Sequence, residues 1–410
     1  MAKISPHKHY LKTLAFSTPM ILLVVVATNF LVDPYGIYDF INIEKFNANK
    51  PSMQSHLRMS KAYQVRNQQP QAIVLGTSRA EFGLDPDHPG FSHRPTYNLN
   101  LSGGNIYEIL RYFQHAYTVS QISQVVLALD FFQFDVNSEN RPDFYEKRLA
   151  ANLRGFATNH RMPTRDLFDS LLTLDALLSS LNTISSQFQR PTYLRNGLID
   201  PATTIRGKLI HIIGQRELFI INEQRYFNKT YDGFSLRSDD GTSRSLSNYR
   251  MLLGLAYAKD IDLKIVINPS HARQFETLAA KGLWPTFEEW KIQLVKINEE
   301  EAKGVGETPF LIWDFSGYST YTTEPVPVSG DTASKMVWYW ESSHFTKELG
   351  NLVLDKIFES MPSQNKSALP FGVVLTSNNI DAHLRNIKRQ RGIWRKTHPS
   401  DVSEIELLLD

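Results

Sequence analysis

The chain alternates short apolar runs with longer amphipathic segments, and this alternation predicts strands and helices in turn. The apolar runs fall at residues 72–75, 96–101, 125–129, 263–268 and 310–314. The segments with helical spacing fall at residues 106–117, 247–258, 286–303 and 347–359. Strands that alternate with helices pair in parallel and carry helices on both faces of one sheet. The pattern therefore predicts an α/β fold with a parallel, doubly wound sheet.

Two regions break this alternation. Residues 140–245 contain leucines at helical spacing, followed by polar and turn-forming residues, which is typical of a largely helical insertion. Residues 363–410 contain a basic segment with interspersed apolar positions, which favours a helical tail with a solvated face over a membrane-surface contact. We expect the α/β domain to span residues 71–362, with residues 33–70 as a connector in front of it.

The N-terminal segment predicts a membrane anchor. Residues 13–32 carry no charge and are long enough to cross a hydrocarbon core of about 30 Å. Lys3, Lys8 and Lys12 precede this run and Asp33 follows it, so the positive-inside rule places the first residues in the cytoplasm and the remainder outside. A cleaved signal peptide and a buried core helix are the alternatives. The run exceeds a typical signal-peptide core and has no clear Ala-x-Ala cleavage site, which favours the anchor.

The composition narrows the classes of function. The net charge is +2, without the strong basic excess expected of a nucleic-acid-binding protein. The chain contains no cysteine, which excludes disulfides, thiolate nucleophiles and cysteine metal sites. Its histidines show no metal-binding spacing such as His-Glu-x-x-His, and we expect neither a metal nor another cofactor. A covalent nucleophile must then be an oxygen or a nitrogen.

Ser78 is the first candidate for covalent chemistry. It follows the apolar run 72–75 in the sequence Gly76-Thr77-Ser78, at the carboxyl edge of the predicted sheet, where open α/β proteins bind ligands. A serine at this place also suits the N-cap of the next helix, where its hydroxyl accepts a hydrogen bond from a backbone amide. Whether Ser78 is a nucleophile or a helix cap therefore depends on the residues around it.

Glu341 and His344 are the candidate partners of that serine. Residues three apart on a turn project to one side, so Glu341 is placed to accept the Nδ1 proton of His344 and to leave Nε2 facing a hydroxyl. The same sequence also suits the start of a helix, with Ser342 or Ser343 as its cap and Glu341 as a partner of the helix dipole.

Two further polar residues follow predicted strands and therefore lie on the ligand edge of the sheet. We expect His271 to line the site, with a hydrogen-bonded loop histidine as the alternative. Asp314 suits a site residue and a structural residue equally well.

The order of these residues resembles the SGNH, or GDSL-like, hydrolase superfamily. Members carry the nucleophilic serine after the first strand and an Asp-x-x-His pair near the end of the domain. The matching positions are Gly76-Thr77-Ser78, Gly103 or Gly104 in the loop that ends at Asn105, and Glu341 with His344. The resemblance implies a three-layer α/β/α domain with a flavodoxin-like sheet and a triad of Ser78, His344 and Glu341. It also implies a role for the loop of Gly103, Gly104 and Asn105 in oxyanion or substrate binding.

The chain departs from the family pattern at two positions. Glu341 replaces the usual aspartate, which adds one methylene of reach and leaves the carboxylate chemistry unchanged. Asp130 stands where the family has an asparagine that donates to the oxyanion, and a carboxylate cannot donate unless it is protonated. Gln133 or a backbone amide is the expected replacement donor.

A membrane anchor followed by such a domain resembles proteins that work beside membrane-bound O-acyltransferases, including the D-alanyl-lipoteichoic acid transfer protein and polysaccharide O-acetyltransferases. The resemblance implies a periplasmic or extracellular O-acetyltransferase or O-acetylesterase at the bacterial inner membrane, with a cell-surface polysaccharide or acyl donor as its partner. A catalytically silent glycan-binding or assembly module is the alternative. An α/β-hydrolase fits less well, because Ala80 replaces the last glycine of Gly-x-Ser-x-Gly.

Overall fold

The computed structural model describes residues 6–158, 161–358 and 371–407 and has an α/β fold with one six-stranded sheet. The strands are β1 (Ala72–Leu75), β2 (Thr96–Asn98), β3 (Gln124–Leu129), β4 (Asp262–Ile267), β5 (Ile312–Asp314) and β6 (Val373–Leu375). The first helices are α1 (Pro6–Val32), α2 (Leu57–Gln68), α3 (Ser78–Gly83), α4 (Ile106–Val119), α5 (Thr164–Leu171), α6 (Leu174–Ser185) and α7 (Ile205–Ile213). The later helices are α8 (Gln215–Arg225), α9 (Arg244–Ala258), α10 (Ala272–Ala280), α11 (Trp284–Val305), α12 (Lys347–Phe358), α13 (Ile380–Thr397) and α14 (Pro399–Glu406).

The sheet is parallel except at one edge. Its strand order is β2-β1-β3-β4-β5-β6, and β6 runs antiparallel to β5. β1 lies between β2 and β3, with Ile73 level with Tyr97 and Val125. The carboxyl ends of the parallel strands therefore lie along one edge, which is where Ser78 follows β1. The predicted α/β class with a mostly parallel sheet is confirmed. The antiparallel edge strand β6 was not predicted, because its run of three residues is too short to stand out in the pattern.

Alternate strand residues belong to two apolar clusters. Ile73 and Leu127 pack into a cluster with residues of α4, α9 and α11. Val74 and Val126 pack into a second cluster with residues of α12. Because successive side chains of a strand point to opposite faces, each face of the sheet contributes to its own core.

Several element bounds differ from the predicted ones for local reasons. β2 ends at Asn98, although the amides of Leu99 and Leu101 still donate to backbone carbonyls of the neighbouring β1 segment. α9 begins at Arg244 because the side chain of Ser243 caps it by accepting a hydrogen bond from the amide of Leu246. Caps and strand ends depend on single side chains, which an apolar pattern does not resolve.

In the described part of the region between β3 and α9, the α-helices are α5 to α8. α5 and α6 pack against each other and against α1, whereas α7 packs against α8. The region 140–245 that breaks the sequence pattern thus contains these helices, and its last residues begin α9.

α1 is the helix that, within the described residues, is long and apolar enough to cross a membrane. An 18-residue stretch within His7–Val32 has a mean hydropathy of 2.0 and is largely exposed. A signal sequence near an N terminus has the same length and composition, so these properties support an anchor without specifying its compartment or orientation.

The last described residues form α13 and α14. α13 buries Leu384, Ile387 and Trp394 against the core and exposes basic residues such as Arg385 and Lys388. The domain boundary expected at residue 362 lies outside the described residues.

Candidate active site

Ser78 is the first residue of α3, directly after the turn that follows β1. The N-cap of α3 is Thr77, whose Oγ1 accepts a hydrogen bond from the amide of Arg79 at 3.3 Å. Because Thr77 fills the capping role, the half-buried hydroxyl of Ser78 is left for another partner.

That partner is His344, from the other end of the chain. The Nε2 atom of His344 lies 2.8 Å from Oγ of Ser78, and its Nδ1 atom contacts Oε1 of Glu341. A carboxylate can only accept, so Nδ1 carries the proton and Nε2 presents its lone pair to the Ser78 hydroxyl. The structure thus brings the three predicted residues together as a relay of carboxylate, imidazole and hydroxyl.

A tight loop places Glu341 and His344 side by side. Tyr339 and Phe345 form an antiparallel bridge, and the amide of Trp340 donates to the carbonyl of His344 at 2.9 Å. α12 begins at Lys347, so this acid and this histidine precede the helix and do not form its first turn. The alternative of a helix start does not describe this segment.

Arg206 on α7 sets the charge balance of the relay. Its Nε lies 3.7 Å from Oε1 of Glu341, and its Nη1 lies 3.2 Å from Nδ1 of His344. Burial alone would raise the pKa of Glu341, but the charges of His344 and Arg206 hold that pKa well below its usual range. Burial, followed by the charge of Arg206, lowers the pKa of His344 to about 4. At neutral pH, an uncharged imidazole therefore lies beside a charged carboxylate.

Two glycines let α3 and α12 approach closely enough for the Ser78–His344 contact. A Cβ atom on Gly350 would overlap the carbonyl oxygen of Gly83, and a Cβ atom on Gly83 would overlap the ring of Phe345. Ser78 begins α3 and His344 lies just before α12, so the close packing of these helices brings together residues from opposite ends of the domain.

Asp130 braces the turn that carries Ser78. Its Oδ2 accepts a hydrogen bond from Oγ1 of Thr77 at 2.6 Å, and its Oδ1 accepts one from Nη1 of Arg79 at 2.9 Å. The carboxylate is buried. Both of its oxygens are thus engaged by the residues on either side of Ser78, which gives Asp130 a positioning role.

The loop of Gly103, Gly104 and Asn105 is held by its own hydrogen bonds. The amide of Gly104 donates to the carbonyl three residues earlier at 2.9 Å, and the carbonyl of Gly103 accepts a hydrogen bond from an arginine side chain at 3.0 Å. Oδ1 of Asn105 caps α4 by accepting from the amide of Glu108 at 2.9 Å. The amide of Gly104 and the side chain of Asn105 therefore have structural partners.

Gln133 retains an unused donor. Its Oε1 accepts a hydrogen bond from the amide of Asp130 at 2.7 Å. Its Nε2 is buried and, among the described residues, has no hydrogen-bond partner. A buried amide group without a partner is costly, and this one lies next to the residue that braces the Ser78 turn.

His271 caps a helix and supports the loop of Glu341 and His344. Its Nδ1 accepts from the amide of Arg273 at 3.2 Å, so Nε2 donates to the carbonyl of Glu324 at 2.8 Å. Its own amide donates to the carbonyl of Ser342 at 3.0 Å. Burial, together with nearby Arg273, lowers the pKa of His271 to about 4. Both ring nitrogens are thus engaged within the protein, as in the loop-histidine alternative.

Asp314 belongs to a separate cluster. Its Oδ2 accepts from Nζ of Lys291 at 2.7 Å and from Nε2 of His383 at 2.8 Å, and its Oδ1 accepts from Oγ of Ser316 at 2.6 Å. Burial would raise the pKa of Asp314, but the charge of Lys291 holds that pKa well below its usual range. These contacts join the end of β5 to α11 and α13 and do not include the Ser78 relay.

Sequence reasoning did not identify Arg206 or Phe82 as site residues. Arg206 lies in the insertion, and no motif marks it. The ring of Phe82 lies 4.9 Å from that of His344. It follows Ser78 by four residues on the same helix, a spacing that places both side chains on one face and was visible in the sequence.

No family model matches this chain, and the comparison with curated proteins also finds no match. Within the described ranges, no group of three or more histidine and carboxylate side chains is arranged to hold a metal ion.

Proposed function

We propose that this protein is a membrane-anchored extracytoplasmic serine acyltransferase or esterase that acts on O-acetyl groups of a cell-surface or secreted polysaccharide. The observation that carries the proposal is the relay in which Glu341 contacts Nδ1 of His344 and Nε2 of His344 lies 2.8 Å from Ser78 Oγ. Such a relay is the arrangement in which a serine hydroxyl is activated for attack on an acyl carbon.

The chemistry runs in two steps. Ser78 Oγ attacks the carbonyl carbon of an acetyl ester while Nε2 of His344 takes the hydroxyl proton, and that proton passes to the leaving alkoxide. Water or a sugar hydroxyl then attacks the acetyl-serine, with His344 again as base, and restores Ser78. Water gives an esterase and a sugar hydroxyl gives a transferase. Glu341 holds the imidazole in the required tautomer throughout.

The backbone amides of Ser78 and Gly103 would hold the oxyanion, because the amide of Gly104 is engaged in its own turn. Gln133 supplies the third donor in this proposal, since its Nε2 is the buried amide group without a partner. Asp130 fits the proposal as the brace of the Ser78 turn and not as an oxyanion donor.

We propose membership of the SGNH superfamily, with a three-layer α/β/α domain around a doubly wound sheet. The strand order β2-β1-β3-β4-β5 supports this, because it matches the flavodoxin-like order in which ligands bind beyond the carboxyl ends of the strands. The two apolar clusters on alternate strand residues also support it.

The half-buried Trp340 supports a glycan substrate. Its ring packs against the buried cluster of Phe82, Tyr193 and Ile199. Flat apolar faces next to polar groups suit the rings of sugars. A membrane-bound O-acyltransferase is the proposed partner of the transferase version, since it would deliver the acyl group across the membrane.

We place the protein in the bacterial inner membrane with its α/β domain in the periplasm or outside the cell. The three lysines before the apolar run support that orientation. The contact of α1 with α5 and α6 supports an anchor that stays attached, because cleavage would expose the polar groups that α1 covers.

The substrate class is tested by replacing the native gene with the Ser78→Ala variant and measuring the O-acetyl content of surface and secreted polysaccharides. A transferase predicts a lower O-acetyl content with an unchanged sugar backbone, whereas an esterase predicts a higher content. Unchanged acetylation of every envelope glycan would contradict both.

A catalytically silent glycan-binding module is the second candidate. The engagement of Asp130, Gly104 and Asn105 in internal hydrogen bonds favours it, since these residues then offer nothing to an oxyanion. A fluorophosphonate probe separates the two candidates, because it forms a bond only with an activated serine. We expect labelling of the native chain, loss of labelling in Ser78→Ala and retention in the matched control Ser316→Ala. An unlabelled native chain would favour the silent module.

A further inference from the structure

The helices α5 and α6 are amphipathic in the opposite sense to a water-soluble helix. The residues of α6 that face the protein are small or polar, among them Ala176, Ser180 and Thr183, each with no exposed surface. The large apolar residues of α6 face outward instead, with Leu174 at 70% exposure and Leu178 at 57%. A helix that packs on a soluble core in water shows the reverse distribution.

α5 repeats this pattern. Asp166 faces inward, where it pairs with Arg148 at 2.7 Å and accepts a hydrogen bond from Tyr63 at 2.7 Å. Phe168, in contrast, is 55% exposed. The exposed apolar face of this hairpin, together with Phe188 just after α6, is called the outer face and consists of Leu167, Phe168, Leu174, Leu178, Leu181 and Phe188.

The outer face is continuous with the candidate membrane helix α1. Asn29 of α1 is fully buried, donates to the carbonyl of Leu171 at 3.0 Å and accepts from Oγ of Ser180 at 2.8 Å. Helices in a lipid bilayer pair through small and hydrogen-bonding residues and turn their apolar residues outward. The interface between α1 and α6 has this composition.

The connector after α1 extends the same surface. Phe40 is 74% exposed and its ring lies 6.0 Å from that of Phe30 on α1. Ile43 is 54% exposed. Exposed apolar residues thus surround the C-terminal end of α1, where an anchored helix leaves the hydrocarbon core.

We propose that the α5–α6 hairpin is a second membrane element, whose outer face is immersed in the lipid leaflet at the C-terminal end of α1. The outer face would contact the acyl chains of the bilayer that holds α1. Continuity with α1, and the distribution of polar residues inside and apolar residues outside, favour lipid over a second copy of the chain. This proposal rests on the membrane anchoring proposed for α1 and is independent of the chemistry of Ser78.

The absence of cysteine allows a direct test with the full-length chain. The variants Leu178→Cys, Leu22→Cys and Lys303→Cys each receive one environment-sensitive fluorophore and are reconstituted in phosphatidylcholine vesicles. Leu178 reports on the outer face, Leu22 on α1, and Lys303 on an exposed site of α11 as the aqueous control. All three side chains are exposed, so their replacement leaves the packed core intact.

We expect the fluorophore at position 178 to be quenched at least twofold by doxyl-labelled lipid and to resist aqueous iodide, as at position 22. The fluorophore at position 303 should show the opposite response. Quenching at position 178 by iodide but not by doxyl lipid would overturn the proposal. Resistance to both quenchers would overturn it in favour of a protein-covered face, and an unquenched label at position 22 would remove its premise.

Discussion

Among the described residues, Ser78 and Ser316 each belong to a group with a carboxylate and a histidine, and these groups differ in the order of their contacts. In the first, Glu341 contacts His344, and His344 contacts Ser78. In the second, His383 and Ser316 both donate to Asp314. The imidazole therefore does not lie between the serine and the carboxylate. Only the first order provides a path for a proton from serine to histidine.

The surroundings of the two groups differ as well. Lys291 is fully buried against Asp314 and supplies a fixed positive charge that satisfies the carboxylate. Arg206 lies at the edge of the other group, and burial together with the charge of Arg206 lowers the pKa of His344 and keeps it uncharged at neutral pH. The comparison shows that residue types alone do not define a catalytic group, because connectivity and the placement of the cation decide what the residues can do.

Replacing each serine by alanine tests the difference between the two groups most directly. Ser78→Ala should lower the turnover of p-nitrophenyl acetate at least about a thousandfold, since the relay loses its nucleophile. Ser316→Ala is the matched control and should leave turnover within about twofold of the native value, because Ser316 lies outside the relay. Equal hydrolysis by the native chain and Ser78→Ala would mean that Ser78 is not the nucleophile.

Removing the charge of each carboxylate should affect stability in the reverse order, with a larger loss at Asp314 than at Glu341. Asp314→Asn leaves the buried Lys291 without a charged partner and should lower the free energy of unfolding by about 3–5 kcal/mol. Glu341→Gln keeps a hydrogen-bond acceptor beside His344 and faces a partly exposed Arg206, so its cost should be about 1 kcal/mol. Denaturant titration checks both values. A larger loss of unfolding free energy in Glu341→Gln than in Asp314→Asn would show that Glu341 also has a structural role.

A smaller effect should appear in the pH dependence of hydrolysis. His344 must be uncharged to act as the base, and with a pKa of about 4 its activity should fall only as the pH drops through that value. Arg206→Gln removes a charge that lowers this pKa, so the acid limb should move to higher pH by about one unit. Lys208→Gln, an exposed position on the same helix, should leave the limb in place. An unmoved limb in Arg206→Gln would show that burial alone lowers the pKa of His344.

Several parts of the fold and site were predictable because their determinants are local. The apolar run 72–75 forms β1 with these bounds, and the spacing of Glu341 and His344 places both side chains on one side of a turn. The uncharged run 13–32 lies within α1. In each case, neighbours in sequence are also neighbours in space, so spacing alone carries the information.

Other features were settled only by packing. Whether Ser78 or Thr77 caps α3 depends on the backbone angles of one turn, and the role of Asp130 depends on its contact with Arg79. Arg206 reaches the relay from a helix that no motif connects with it. Such contacts join residues far apart in the chain, and an apolar pattern contains no record of them.

The leucines of α6 show most clearly what the sequence pattern does not determine. Their spacing determined that the segment is a helix, because one face of a helix repeats every three to four residues. It did not determine which face is buried, and the usual rule would place the leucines inside. The hydrogen bond between Ser180 and Asn29 decides otherwise, since a buried polar pair has to remain together and turns Leu178 outward. The sequence therefore determined the helix, and the tertiary contact with α1 determined its orientation.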